Sequence, residues 1–117
     1  MRVKSIDIPI FQRTVHFHLS DDADAACLKA TGEAMDVVND SGMTVLKDGD
    51  VYVFIFEGEH DEDTVAHECL HAANYVIDLC GMQVDACNDE LQAYLMGWLI
   101  AQWYQMVKEW SGRTISC

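Results

Sequence analysis

Val51-Tyr52-Val53-Phe54-Ile55-Phe56 is apolar at every position, so as a β-strand it has no face to give to water and belongs in the interior of a sheet. Immediately before it, Lys47-Asp48-Gly49-Asp50 sets Asp-Gly between this run and Thr44-Val45-Leu46. Asp-Gly readily adopts the positive φ angles of a two-residue hairpin turn, so the two runs are expected to pair antiparallel, with the Thr44 strand as candidate edge.

The rest of the chain supplies further strands and three helices. Ile6, Ile8 and Ile10 alternate with Asp7 and Pro9, but Pro9 has no amide proton for a ladder, which confines this segment to an edge or irregular strand. Val15, Phe17 and Leu19 alternate with His16 and His18, predicting a strand with both imidazoles on one face. A His-x-His pair can bind zinc, yet it is more often the polar face of a sheet. Ser20 with Asp21, Asp22 and Asp24 opens a helix that Cys27, Ala30, Ala34, Val37 and Val38 continue; Gly32 weakens it and Asn39-Asp40-Ser41-Gly42 closes it as a loop. Near the C-terminus Asn88 caps a long helix running to about Trp110. One of its faces carries Glu90, Ala93, Tyr94, Gly97, Ala101 and Tyr104, where small side chains predict the close approach of another helix and aim Glu90 at it; Leu95, Trp98, Leu99 and Trp103 add core bulk. With 117 residues this reads as one α+β domain, residues 1–117, large enough to bury a core without disulfides or a structural metal.

Between the hairpin and that helix, Asp61, Glu62, Asp63 and Thr64 crowd a first helical turn and Gly81 follows Leu79-Cys80 as its C-terminal stop. This helix contains His67-Glu68-Cys69-Leu70-His71. Residues four apart lie one above the other, so both imidazoles can reach one metal ion. Glu68, about 100° further round, is too far to be a natural third ligand and well placed to touch a water on that metal. A shuffled chain of this composition shows the spacing about one time in a hundred, so context must carry part of the argument. Val65, Ala66, Cys69, Leu70, Ala72, Ala73, Val76, Ile77 and Leu79 cover nearly the whole circumference, which predicts a buried helix whose polar stripe, His67, His71, Asn74 and Asp78, finds partners. The plainer alternative is a pair of core histidines hydrogen-bonded to their neighbours.

A catalytic zinc usually has three protein ligands and one open position. Glu90, nineteen residues beyond His71 on a helix reached by a reversing turn, can supply the third. Asp85 and Asp89 compete with it, and Asp78, two turns along the motif helix, is more remote.

His67-Glu68-x-x-His71 with Glu90 opening the next helix resembles the gluzincin branch of the zincin metallopeptidases. Glu90-Leu91-Gln92-Ala93 is similar to the third-ligand segment of small cytoplasmic members, the regulator-cleaving peptidases associated with phages and mobile elements. The resemblance covers the hairpin and two helices, about half the chain. It implies a minimal zincin-like α+β fold: a small mixed sheet with a hairpin, an active-site helix and a long C-terminal helix. It further implies zinc held by His67, His71 and Glu90, and hydrolysis of a protein substrate by a zinc-bound water of pKa near ~7 whose proton Glu68 takes and passes to the leaving amine. An extended substrate would add along the sheet edge at Met43 to Leu46. The second oxyanion donor is left open among Tyr94, Tyr104, His60 and His18. Larger gluzincins carry an Asp four residues after the third ligand; Tyr94 stands there in this chain, so Tyr94 or Asn74 is expected to support the ligands.

Seven Lys and Arg against twenty Asp and Glu give a net charge of −13, which opposes binding to nucleic acid or anionic membranes. The acid gathers in Asp21, Asp22 and Asp24 and in Glu57, Glu59, Asp61, Glu62 and Asp63; most of it reads as solvated surface, and the sharper reading is a preference for basic partners. No stretch approaches bilayer length, the N-terminus alternates, and five cysteines without a C-x-x-C pair read as reduced thiols, together predicting a soluble cytoplasmic protein. Cys80 and Cys87 flank the turn between the last two helices but match no zinc-knuckle spacing. Two other classes compete: a non-catalytic acidic zinc-binding interaction or inhibitor protein, and thiol chemistry at Cys69 or Cys87, neither of which has a basic sequence neighbour. Glu68 discriminates, because a structural metal site has no need of a carboxylate beside an open coordination position.

Overall fold

The computed structural model describes residues 2–9, 11–20, 32, 42–56 and 62–114. Four strands, β1 (Arg2–Ile8), β2 (Arg13–Ser20), β3 (Gly42–Lys47) and β4 (Asp50–Phe56), are followed by two helices, α1 (Glu62–Leu79) and α2 (Glu90–Thr114). The expected α+β class is what the chain adopts. The sheet is mixed and ordered β1-β2-β4-β3, with β2 and β4 parallel and both outer pairs antiparallel. The all-apolar β4 is interior, and β3 is left as an edge of the sheet, as expected. The hairpin turns on Asp48 and Gly49 at φ 52° and 82°, the two positive values a primed turn demands. β1 occupies the other edge and stops at Ile8, just before Pro9.

One face of the sheet carries the core. Val15, Phe17 and Leu19 of β2 with Val51, Val53 and Ile55 of β4 meet Val65, Cys69, Ala72, Ala73 and Val76 of α1. α2 closes this layer through Leu95, Leu99, Trp103 and Met106, and Trp103 meets Phe17 edge-on at 5.6 Å between ring centres. α1 ends in a Schellman motif: Gly81, at φ 76°, donates to Asp78 O at 3.0 Å and Met82 N–H reaches Ile77 O at 3.2 Å. Among the described residues no helix is long and apolar enough to cross a membrane.

Five expectations need correction or fall outside the structure. α1 is not buried all round: His67, His71, Asn74 and Asp78 are exposed, because the sheet covers only one side of the helix. The small-residue face of α2 is not a packing face. Ala93, Gly97 and Ala101 are exposed beside Tyr94, and the core takes the opposite stripe, whose Leu, Trp and Met side chains bury far more apolar area. Gly42 begins β3 instead of ending a loop, and the residue opening α2 is Asp89, whose carbonyl accepts from Ala93 N–H at 3.0 Å, while the Asn88 amide donates to Gln83 O at 3.3 Å. The helix expected after Ser20, with its acidic cluster and Cys27, lies outside the described residues, as do Ile10, Glu57, Glu59, His60, Asp61 and Cys117.

His16 and His18 do share a face, the one turned away from the helices. His16 stacks on Tyr52 at 4.7 Å, and its ring nitrogens are occupied by Ser5 Oγ at 2.7 Å and Asp50 Oδ2 at 3.0 Å. His18 lies against Phe54 at 4.8 Å, is 5% exposed, and neither of its ring nitrogens has a partner among the described residues. Burial first, and the neighbouring His16 second, lower its pKa from 6.5 to about 4. The unfolded chain therefore binds a proton here that the folded chain refuses, so stability should fall as pH drops from 6.5 towards 4. Urea unfolding at several pH values should show this slope in the wild type and a shallower one in His18→Phe; parallel slopes would mean that His18 is hydrated in the folded state.

Candidate metal centre

α1 presents His67 and His71 to solvent on successive turns, and packing of Val65, Cys69, Ala72 and Val76 on the sheet fixes that orientation. Their Nε2 atoms are 3.2 Å apart and the rings meet edge to face. Two nitrogens bound tetrahedrally at about 2.0–2.1 Å from one metal would be separated by roughly 3.3–3.4 Å, so the pair fits two corners of a zinc site. The same separation suits an N–H···N hydrogen bond between rings of opposite tautomer. Exposure removes the core-histidine alternative.

Glu68 is turned inward from these histidines and is only 6% exposed. Its Oε1 accepts a hydrogen bond from Thr44 Oγ1 on β3 at 2.7 Å, and its Oε2 stands 4.0 Å from His67 Nε2. Thr44 Oγ1 also lies 3.1 Å from the Glu68 carbonyl, but its single proton favours the shorter, charge-assisted bond. One carboxylate oxygen is thus anchored to the edge strand while the other faces the His67 imidazole. Gly42 permits this approach: a Cβ there would lie 2.9 Å from Phe54 O and 3.0 Å from Glu68 Cγ. Thr44 and Gly42 are the site residues that sequence reasoning missed; the only available signal was their position on or beside the strand assigned to the nearby edge.

The other candidates are dispersed. Among the described residues no three His, Cys, Asp or Glu side chains gather closely enough to hold one ion. Glu90 begins α2 and is exposed. Gln92, two residues on, is the residue facing α1, donating from Nε2 to Asn74 Oδ1 at 2.6 Å, and a two-residue step turns the helix by about 200°. The outward phase of Glu90 is the same one that exposes Ala93, Gly97 and Ala101. Asp85 accepts from Cys87 N–H at 2.9 Å within a tight turn that its carbonyl closes to Asn88. Asp89 is exposed at the helix start, and Asp78 is exposed on α1. As oxyanion donors, His18 lies across the sheet from α1, Tyr94 is 73% exposed on the outer side of α2, Tyr104 lies further along that face, and His60 is outside the described residues. Cys69 is buried, and burial with the adjacent Glu68 charge raises its thiol to about 12, which makes it a poor nucleophile.

Beside His71 an open cleft of about 670 Å³ runs along α1 past Asn74 and Asp78 to Met82 and Val84.

Gly42→Ala should cost about 1–3 kcal/mol by forcing β3 away from α1, read as a lowered urea midpoint; an unchanged midpoint would show that the strand can shift freely. His67→Ala should reduce bound zinc from about one per chain to near none, while Cys80→Ser and Cys87→Ser retain it. Elemental analysis after dialysis against zinc checks this, and zinc retained in His67→Ala would place the metal elsewhere. Compared with known proteins, the chain matches no family model, no curated protein and no solved structure.

Proposed function

We propose that this chain is a zinc-dependent metallopeptidase that hydrolyses peptide bonds of a protein substrate, with His67 and His71 as ligands and Glu68 as general base. The observation that carries the reading is the asymmetric setting of Glu68: one oxygen fixed by Thr44 at 2.7 Å, the other left facing His67 at 4.0 Å. That gap is too long for a direct hydrogen bond and suits a carboxylate that exchanges a proton with a small molecule held between them. A zinc ion, when bound, supplies Lewis acidity and a hydrolytic water of lowered pKa. Glu68 accepts the proton and returns it to the departing amine, while the Thr44 hydroxyl holds the carboxylate in one orientation through both transfers. β3, the edge beside the site in the sheet of described strands, is where an extended peptide would add as a further strand.

Glu90 would complete the ligand set. Its present phase requires the first turn of α2 to rotate or unwind before its carboxylate can join the histidines. Residues 81–90 are exposed throughout, so little packed surface resists that movement. A cytoplasmic setting goes with this reading, supported by the free thiols of Cys69, Cys80 and Cys87. The outward Glu90 favours the second reading, a non-catalytic acidic zinc-binding protein that holds metal through the two histidines.

Glu68→Gln separates the two. It preserves shape, fold and both ligands but removes the base, so zinc should stay bound while hydrolysis stops. New protein N-termini in cells expressing the wild type should disappear in cells expressing Glu68→Gln. If both produce the same termini, or neither produces any, the binding-protein reading replaces the enzyme.

A further inference from the structure

The cleft beside His71 has a composition that selects its occupant. We propose that it receives a lysine or arginine side chain of the substrate, with Asp78 as the counter-charge; this rests on the peptidase reading of the adjoining site. Asp78 follows His71 by seven residues, nearly two full turns, so the two lie on one stripe about 10 Å apart along the helix axis. An extended lysine spans roughly 6 Å from Cα to its ammonium group, enough for a residue at or next to the scissile bond to reach Asp78 from a backbone passing the histidine pair. Tyr75, Met82 and Val84 supply apolar wall, with Met82 and Val84 41% and 36% exposed, and such a surface suits the alkyl stem of a basic side chain whose head stays polar.

Charge decides against other occupants. Asp78 is the one carboxylate among the described lining residues, and none of them is Lys or Arg. An acidic side chain would meet Asp78 and a chain of net charge −13, and a purely apolar one would desolvate the carboxylate without pairing it. The Asn74 side-chain carbonyl is already engaged by Gln92, so this amide pair ties α1 to α2 at the cleft and leaves Asp78 as the charged acceptor.

The test uses two measurements on the full chain. The first is binding, by fluorescence anisotropy, of labelled alanine-based hexapeptides carrying Lys, norleucine or Glu at each position in turn to Glu68→Gln, alone and combined with Asp78→Asn. At the best position Lys should bind at least about tenfold more tightly than norleucine, Glu should bind more weakly than both, and Asp78→Asn should erase the Lys advantage. The second is the cleavage-site profile of the wild type and of Asp78→Asn: a basic residue at one fixed position should be enriched only in the wild type. Equal binding of Lys and norleucine, or a basic preference that survives Asp78→Asn, overturns the assignment while leaving the peptidase intact. Asp78-dependent Lys binding without any cleavage by the wild type would instead sink the peptidase and leave a cation-selective binding groove.

Discussion

The rotational setting of α1 on the sheet is the constraint from which the site follows. Val65, Cys69, Ala72, Ala73 and Val76 bury one side of the helix against β2 and β4, and two adjacent alanines let the backbone come close. Once that side is fixed, the 100° step between residues leaves no freedom: His67 and His71 must face solvent and Glu68 must point beneath them, towards β3. Ligand-type and base-type side chains are therefore sorted into wet and dry surroundings by apolar packing alone. The polar residues did not choose their places.

What was legible in the chain was whatever local chemistry determines. Asp48-Gly49 specified its turn, Gly81 its helix end, Pro9 the edge position of its strand, and the run Val51–Phe56 its interior position, each through backbone preferences or burial needs acting within a few residues. The face of α2 was not legible, because Ala93-Gly97-Ala101 and Leu95-Leu99-Trp103 repeat with the same period. Only the volume offered by β2 and α1 decides between them. Misjudging that face carried Glu90 with it, since both share a helical phase. The Thr44–Glu68 contact spans twenty-four residues and joins a strand to a helix, so no local pattern announces it.

The sheet also divides chemically similar residues into unrelated settings. His16 and His18 have the alternation of a possible ligand pair, yet the sheet itself separates their face from α1, and their surroundings are aromatic rings and a short polar chain through Ser5 and Asp50. His67 and His71 stand in water, close enough together to act as one unit. Identical side chains thus become a proton-refusing core residue in one place and an exposed, closely spaced pair in another, and only the layer order tells them apart.

Cys69, one residue beyond Glu68, is sealed into the core with a thiol that stays protonated well beyond physiological pH, whereas Cys80 and Cys87 lie on the surface. Thiol-labelling reagents will therefore read these positions as two populations, surface sulfurs modified at once and a core sulfur modified only when α1 lifts from the sheet. The slow population is a built-in clock for the opening of the very helix that carries the histidines.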